Sequence, residues 1–287
     1  MESKLSFYIL YITFVLFVTS CNQKKYSNPQ LLTVSVMPGI ENNDTVISSP
    51  PSEMGLDSFY KKYIDAWGVA IVSSVKVSDE ALYSVQKKVR QMLSLREDVL
   101  NEMIANKIRI AIMAKDEVTT DMPEYRNWND PSQSEGIDWN IRGRGFGATV
   151  ELPVCSCAEE NILCFDKSID GYYNEDIFIH EFAHSIHGLG IRFIDSNIDN
   201  ELQQALNKAI AKGRWKNTYA ATNTEEYFAE GVQDWFNVNT KAIPGDGIHN
   251  EISTRVELKK YDPTLYAIIK RYFPQNNRNI SCHEKIN

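Results

Sequence analysis

Apolar residues follow two different patterns along this chain. Residues 5–18 form a continuous apolar run, whereas short apolar stretches alternate with polar ones from residue 57 onward. Residues 67–77 and 107–115 are short runs rich in Val, Ile and Ala, which predicts two strands. Between them, residues 78–105 carry apolar side chains at helical spacing, so we expect a helix there and a mixed sheet with helices packed on it.

A glycine-rich segment follows in a region without regular periodicity. Gly143, Gly145 and Gly147 suggest a phosphate-binding loop, but no strand precedes them and no helix opens after them. A flexible entry into a strand at residues 148–154 is the better interpretation. If that strand lies at the edge of the sheet, an extended peptide can pair with it.

The N-terminal apolar run has the layout of a secretory signal. Lys4 precedes it, small residues end it, and it is shorter than the roughly 20 residues that a membrane-spanning helix needs. Residues 18–21, Val-Thr-Ser-Cys, resemble the bacterial lipobox, in which the signal is cut before the cysteine and the thiol is lipidated. We expect Cys21 to anchor an extracytoplasmic protein to a bacterial membrane. An ordinary signal peptide with a chance cysteine is the alternative.

Composition and charge complete the domain plan. Residues 1–20 are the predicted lipoprotein signal peptide, residues 21–56 are polar and contain four prolines typical of a flexible tether, and residues 57–287 form the folded domain. A chain of 287 residues with 43% hydrophobic residues can bury a full core. The net charge of −8 and the lack of a long basic run argue against a nucleic-acid partner.

Four cysteines remain beyond the signal: Cys155, Cys157, Cys164 and Cys282. An even number in an oxidising compartment suggests two disulfides. In a strand, Cys155 and Cys157 point the same way but lie too close for a relaxed bridge, so each is expected to pair elsewhere. We predict Cys157 with Cys164 and Cys155 with Cys282. Zinc binding by Cys155 and Cys157 is the alternative, but no second cysteine pair completes a four-ligand set.

Residues 179–190, IHEFAHSIHGLG, contain the pattern H-E-x-x-H. His180 and His184 are four residues apart, so both imidazoles lie on one face of a helix and can reach one zinc ion. Glu181 lies beside them, where its carboxylate can take a proton from water. His187 projects near the same face but is too far along the axis to bind the same ion, and we interpret it as a pocket or core residue.

The pattern requires a helix, and the flanking residues predict one. Asn174 can cap its start, Glu175 and Asp176 suit its first turn, and Gly188 and Gly190 can end it. Apolar neighbours indicate that the helix is buried, and burying two histidines and a glutamate is costly unless those groups are satisfied. A metal ion would satisfy all three groups. A surface helix with solvated histidines is the alternative.

A second predicted helix supplies candidates for the third ligand. Residues 219–236, YAATNTEEYFAEGVQDWF, place Glu226 and Glu230 four residues apart on a face away from the apolar one. One of them can bind the metal while the other accepts the outer N–H of a ligating histidine. Asn223 followed by Glu226 also resembles a capping box, which would explain Glu226 without any metal.

The segments HEFAH and YAATNTEEYFAEG together resemble the catalytic domain of the anthrax lethal-factor-like metallopeptidases, a branch of the gluzincins. The resemblance implies that His180, His184 and Glu226 bind one zinc ion and that Glu181 is the general base. It also implies that Tyr219 stabilises the transition state and that Glu230 contacts a ligand histidine from outside. The implied fold is α+β and zincin-like: a mixed sheet with an edge strand packed on the H-E-x-x-H helix, and a second helix that bears the ligand glutamate.

The activity implied by the resemblance is that of a membrane-anchored zinc metalloendopeptidase acting on protein or peptide substrates. Two other classes stay open. One is a lipid-anchored binding protein that keeps the zinc fold without catalysis, although the intact Glu181 argues against it. The other is a zinc hydrolase of a non-peptide amide, such as an amide in cell-wall material.

Overall fold

The structure, a computed structural model, describes residues 46–132, 134–276 and 280–285. The predicted signal peptide and Cys21 lie outside the described residues. Within those described ranges, no helix is both long and apolar enough to cross a membrane.

Four strands and ten helices form the described part of the chain. The strands are β1 (Lys62–Ala66), β2 (Val69–Ser73), β3 (Arg109–Met113) and β4 (Val154–Ala158). The helices are α1 (Asp79–Leu93), α2 (Glu97–Ala105), α3 (Trp139–Arg142), α4 (Glu159–Ile162), α5 (Ile177–Ile186), α6 (Arg192–Ile194), α7 (Ile198–Ala211), α8 (Thr224–Phe236), α9 (Arg255–Tyr261) and α10 (Pro263–Ile269).

The four strands form one mixed sheet in the order β1-β2-β3-β4. The pair β1 and β2 is antiparallel, whereas β2 with β3 and β3 with β4 are parallel. Parallel neighbours need a crossover, and α1 and α2 supply it between β2 and β3. The predicted α+β class with a mixed sheet is confirmed, as are the two early strands and the helical stretch between them.

Side chains alternate between two cores on opposite faces of the sheet. Ile110 and Ile112 of β3 belong to the main core against the helices, and Ala111 and Met113 belong to a smaller core on the other face. This alternation is the two-residue period of a strand. The main core is the one that contains α5 and α8: α5 packs against β4, and α8 packs on α5.

The strand predicted at residues 148–154 is wrong in position. Thr149 and Leu152 form a turn, in which the amide of Thr149 donates to the carbonyl of Leu152 at 3.0 Å, and β4 begins only at Val154. Pro153 lacks an N–H for a strand ladder, which explains why regular pairing starts after it. β4 is nevertheless the last strand of the sheet, and all of its residues are buried.

The predicted disulfide pairing is also wrong. Cys164 pairs with Cys282, with 6.2 Å between their Cα atoms, while Cys155 and Cys157 are free and buried. The physical reason is the strand period: both free cysteines lie on the same side of β4 and are packed in the main core. Burial raises the pKa of both free thiols, so they remain protonated.

Candidate metal centre

The helix α5 begins on a buried, fully satisfied cap. Asp176, and not the predicted Asn174, is the N-cap residue, because its carboxylate accepts the amide N–H of Ile179 at 3.1 Å. The same carboxylate accepts hydrogen bonds from Lys88 Nζ and Ser281 Oγ, each at 2.5 Å. Burial tends to raise the pKa of Asp176, but the Lys88 ammonium holds it below its usual range. The start of α5 is therefore anchored inside the protein.

The glycines expected to end α5 do not end it. The chain continues through a π-helical turn at His187–Ile191 into α6. A Cβ on Gly190 would lie 2.6 Å from Val99 Cγ1, so this glycine allows α2 to pack closely. His187 donates from Nε2 to Asp199 Oδ1 at 2.9 Å and packs on Phe228, which places it in the helical core as predicted.

His180 and His184 converge on one point, as the spacing of the pattern predicts. Their Nε2 atoms are 3.1 Å apart, and their ring planes are inclined by 76°. His180 is buried and His184 is half-buried. Two imidazole nitrogens thus meet on one face of α5.

The third atom at this point comes from α8. Asn223 caps that helix by accepting the amide N–H of Glu226 at 2.8 Å, as the capping pattern predicts. Glu226 Oε2 lies 3.0 Å from His180 Nε2 and 3.2 Å from His184 Nε2. The cap orients the first turn of α8, and that turn brings the carboxylate to both histidines.

These three atoms fit a zinc ion. Zinc bonds of about 2.0–2.1 Å at tetrahedral angles separate neighbouring ligand atoms by about 3.3 Å. The observed separations are 3.0, 3.1 and 3.2 Å. Two imidazole nitrogens and one carboxylate oxygen also form a donor set that leaves a fourth position for water or substrate.

The surroundings favour positive charge at this point. Burial lowers the pKa of His180, but the carboxylates of Glu226, Glu181 and Glu230 raise it to about 10. Burial likewise tends to raise the pKa of Glu226, but hydrogen bonds with His180 and His184 hold it well below its usual range. A cation placed here is therefore stabilised by the charges of the protein itself.

Gln233 of α8 fixes the orientation of the His180 ring, and sequence reasoning missed it. His180 Nδ1 lies 2.8 Å from Gln233 Oε1, while Gln233 Nε2 donates to Glu175 Oε2 and to the Asp176 carbonyl, both at 3.3 Å. Because the amide nitrogen already faces two acceptors, the amide oxygen must face His180. His180 therefore donates from Nδ1, which leaves Nε2 as the nitrogen that would bind a metal after losing its proton.

Glu230 does not make the direct contact implied for it by the family resemblance. Its Oε1 is 3.8 Å from His180 Nδ1, and its Oε2 accepts a hydrogen bond from Asn239 Nδ2 at 2.9 Å. Burial raises the pKa of Glu230. Its contact with His180 is electrostatic, and Gln233, three residues further along the same helix, takes the hydrogen-bonding role. The polar stripe Glu226, Glu230 and Gln233 on one side of the helix is the sequence signal that could have found it.

Tyr219 lies beside the candidate ligands. Its ring is 6.3 Å from that of His180 between centroids, with the planes inclined by 28°. Burial and the Glu226 carboxylate raise the pKa of Tyr219 above its usual value. Its hydroxyl therefore keeps its proton and can donate a hydrogen bond at neutral pH.

The glycine-rich segment lies against α5, close to Glu181 and His184. Phe146 pairs with Ser156 of β4 through two backbone hydrogen bonds of 3.2 and 2.9 Å, so this segment extends the sheet beyond β4. A Cβ on Gly147 would lie 2.7 Å from His184 Cβ and 3.5 Å from Glu181 Oε2. The glycines thus let backbone pass directly over α5, which the interpretation as a flexible entry did not foresee.

Comparisons with known proteins add little to this geometry. No protein-family model and no curated protein matches the sequence. Among solved structures, the chain is similar to the Pro-Pro endopeptidase PPEP-2 from Paenibacillus alvei, with 16% sequence identity and a TM-score of 0.45. The similarity covers 71% of this chain and 97% of that one. A likeness at this level supports no conclusion about activity.

Proposed function

We propose that this protein is a zinc-dependent metalloendopeptidase. The observation that carries the proposal is the convergence of His180, His184 and Glu226, with ligand atoms 3.0 to 3.2 Å apart, next to the carboxylate-bearing Glu181. A bound Zn²⁺ would supply Lewis acidity, polarising a carbonyl and lowering the pKa of water toward about 7. The lethal-factor-like type of site, implied by the sequence resemblance, is part of the same proposal.

The residues of the chain provide the remaining chemistry. Glu181 is half-buried and follows His180 directly, and its carboxylate accepts the proton of the attacking water and returns it to the leaving amine. Tyr219, protonated at neutral pH, donates a hydrogen bond to the developing oxyanion. Gln233 holds His180 in the tautomer that exposes the Nε2 lone pair.

The substrate-pairing edge in this proposal is Gly145–Gly147 rather than residues 148–154. Phe146 directs both of its backbone groups to Ser156, so the strand period turns those of Gly145 and Gly147 the other way. Within the described residues, neither glycine makes a backbone hydrogen bond. An extended peptide adding to this edge would lie next to Glu181 and His184, which suits peptide cleavage.

Two measurements test the proposal together. Mass spectrometry of the purified protein should find about one zinc per chain, and a peptide-library digest should show cleavage that a chelator abolishes. Folded protein that neither carries nor takes up zinc would contradict the metal site. Zinc-loaded protein that leaves every peptide intact while hydrolysing a cell-wall amide would favour the non-peptide hydrolase instead.

We further propose that Cys21 anchors the protein to a bacterial membrane by lipidation, as the sequence predicts. The support is the lipobox-like sequence at residues 18–21. Metabolic labelling with a radioactive fatty acid should mark the wild-type protein and leave Cys21→Ser unlabelled. Equal labelling of the two proteins would contradict the anchor.

A further inference from the structure

A loop at residues 246–250 contacts two segments next to the candidate ligands: the turn that carries Tyr219 and the residue before the cap of α5. The carbonyl of Ile248 accepts the backbone N–H of Tyr219 at 2.9 Å, which holds the turn that carries this tyrosine. The next residue, His249, points inward and is 8% exposed. Its ring faces the carboxylate of Glu175, the residue just before the cap of α5. One short loop therefore adjoins both the predicted oxyanion donor and the helix that bears the ligands.

His249 lies between two carboxylates. Its Nε2 is 3.3 Å from Glu175 Oε2, and its Nδ1 is 3.1 Å from Asp246 Oδ2. Both ring nitrogens can therefore donate, which suits the doubly protonated ring. Burial lowers the pKa of His249, but Glu175, Asp246 and Glu230 raise it to about 9.

Glu175 connects this histidine to the candidate metal ligand. The oxygen that faces His249 also accepts a hydrogen bond from Gln233 Nε2 at 3.3 Å, and Gln233 Oε1 accepts from His180 Nδ1 at 2.8 Å. Three consecutive hydrogen bonds thus link His249 to His180. Glu175 accepts from His249 on one side and from Gln233 on the other, and Gln233 accepts from His180.

The orientation of the Gln233 amide is the feature that this chain of bonds controls. If the amide turned over, its NH₂ group would face His180 Nδ1, and the proton of a neutral His180 would move to Nε2, where a metal must bind. The Asp176 carbonyl and Glu175 both accept from Gln233 Nε2 and oppose this turn. His249 in turn holds Glu175 in place.

We propose that His249 and Glu175 are positioning residues that act through Gln233 to keep the metal-binding tautomer of His180. The consequence for zinc rests on the proposed function, whereas the hydrogen bond of His180 Nδ1 exists independently of it. Partners that orient a ligand histidine typically change metal affinity by about 10- to 100-fold when they are lost.

Nuclear magnetic resonance tests the hydrogen bonds directly. The chain has five histidines, so the ¹⁵N-histidine spectrum is simple enough to assign. Wild-type protein should show a slowly exchanging Nδ1–H of His180, and Gln233→Leu should lose it. Glu175→Gln and His249→Ala should speed its exchange. Unchanged exchange in all three variants would overturn the proposal, whatever the protein does with zinc.

Zinc affinity, measured by competition with a chelating dye, gives the functional readout. Glu175→Gln and His249→Ala should each weaken zinc binding by about 10- to 100-fold. The double variant Glu175→Gln/Gln233→Glu exchanges the amide and the carboxylate while keeping the charge, so residue 233 can still accept from His180 Nδ1 and residue 175 becomes the donor between them. Because the Asp176 carbonyl loses its donor, this variant should regain only part of the affinity. Lys241→Gln, which breaks an exposed ion pair with Glu257 in the same part of the chain, should leave affinity unchanged.

The outcomes separate the two proposals. Wild-type protein that binds no zinc contradicts the proposed function, and the proton-exchange experiment then decides the positioning role alone. Wild-type protein that binds zinc with an affinity unaffected by Glu175→Gln and His249→Ala contradicts the positioning role and leaves the metal site standing.

Discussion

Among the residues that the structure describes, two groups of three side chains bring possible metal-binding atoms within 4.8 Å of one another. One group is His180, His184 and Glu226, and the other is Cys164, Cys282 and His283. In the second group the sulfurs are joined in a disulfide, and His283 Nε2 faces the carbonyl of Asn161 at 2.8 Å. In the first group the three atoms face one another at 3.0 to 3.2 Å. Proximity alone does not make a metal site; the atoms must also retain free lone pairs.

The two groups are related through the start of α5. Ser281, next to the disulfide, donates to the buried carboxylate of Asp176, which caps the helix that bears both histidines. The cysteine group therefore has a structural role, and the histidine group has the capacity for chemistry. This division predicts that variants in one group will change stability and variants in the other will change metal binding and catalysis.

The largest expected effect is that of Glu181→Gln. Loss of a general base should lower kcat/KM for peptide cleavage by about 10²- to 10⁴-fold, while zinc content stays at the wild-type level. Enzyme kinetics and metal analysis on the same samples check both statements. Glu225→Gln serves as the control, because it removes the charge of an α8 residue that forms an exposed ion pair with Arg192. Full activity in Glu181→Gln would remove it from the mechanism.

Cys282→Ser should lower the stability of the protein without changing its zinc site. The disulfide closes a loop with a sequence separation of 118 residues. Because the disulfide restricts the unfolded chain, closing a loop of this size stabilises the fold by at most about 4–5 kcal/mol. The variant should therefore unfold at a much lower urea concentration. Its zinc stoichiometry should be unchanged under conditions where it is folded. A folded variant with reduced zinc content would mean that the cysteine group holds the metal. Added reductant should lower the stability of the wild-type protein only, because the variant has no disulfide to reduce.

Glu226→Ala should change zinc binding, in contrast to Cys282→Ser, which should change stability. Removal of a direct ligand should weaken zinc binding by more than the 10- to 100-fold typical of outer contacts, and the stabilisation that zinc provides should fall with it. A chelator titration and a thermal melt with and without zinc measure the two effects. Glu225→Ala, at the neighbouring position, is the matched control. Normal zinc affinity in Glu226→Ala would exclude this residue from the ligand set.

Gly147→Ala tests whether the glycine segment belongs to the site. Its added Cβ would lie 2.7 Å from His184 Cβ, so either the backbone or α5 must shift. A displacement of about 1 Å in a catalytic geometry can cost about 100-fold in rate. Gly171→Ala is the control, because a Cβ there meets nothing within 4 Å. Equal peptide cleavage by the two variants would place the substrate elsewhere.

The smallest expected effect is a pH dependence from His249. Its pKa is raised from 6.5 to about 9 in the folded protein, so its contribution to stability is complete below pH 6.5 and is lost as pH rises through about 9. His249→Ala should be less stable than wild type by on the order of 1 kcal/mol at pH 6, after allowance for solvent screening. The difference should vanish above pH 9. Urea unfolding at several pH values would show a constant difference if the histidine contributed only packing.

Local patterns predicted the elements that depend on nearby residues. The four-residue spacing of His180 and His184 places both on one helix face in any fold, and Asn223 caps α8 through a contact three residues away. The early strands and the long helical stretch follow from periodicity in the same way. Details decided by contacts far along the chain were missed. Asp176 replaced Asn174 as the cap because Lys88 and Ser281 surround its carboxylate.

By itself the sequence determined the two helices, the spacing of their histidines and glutamates, and the α+β class, because these rest on chemistry within one or two turns of chain. Tertiary structure alone decided that Glu226 meets both histidines, that Gln233 rather than Glu230 holds His180, and which cysteines pair. The physical reason is that each of these contacts joins residues at least 42 positions apart, where the packing of the sheet and helices sets the distance. No local preference encodes that distance.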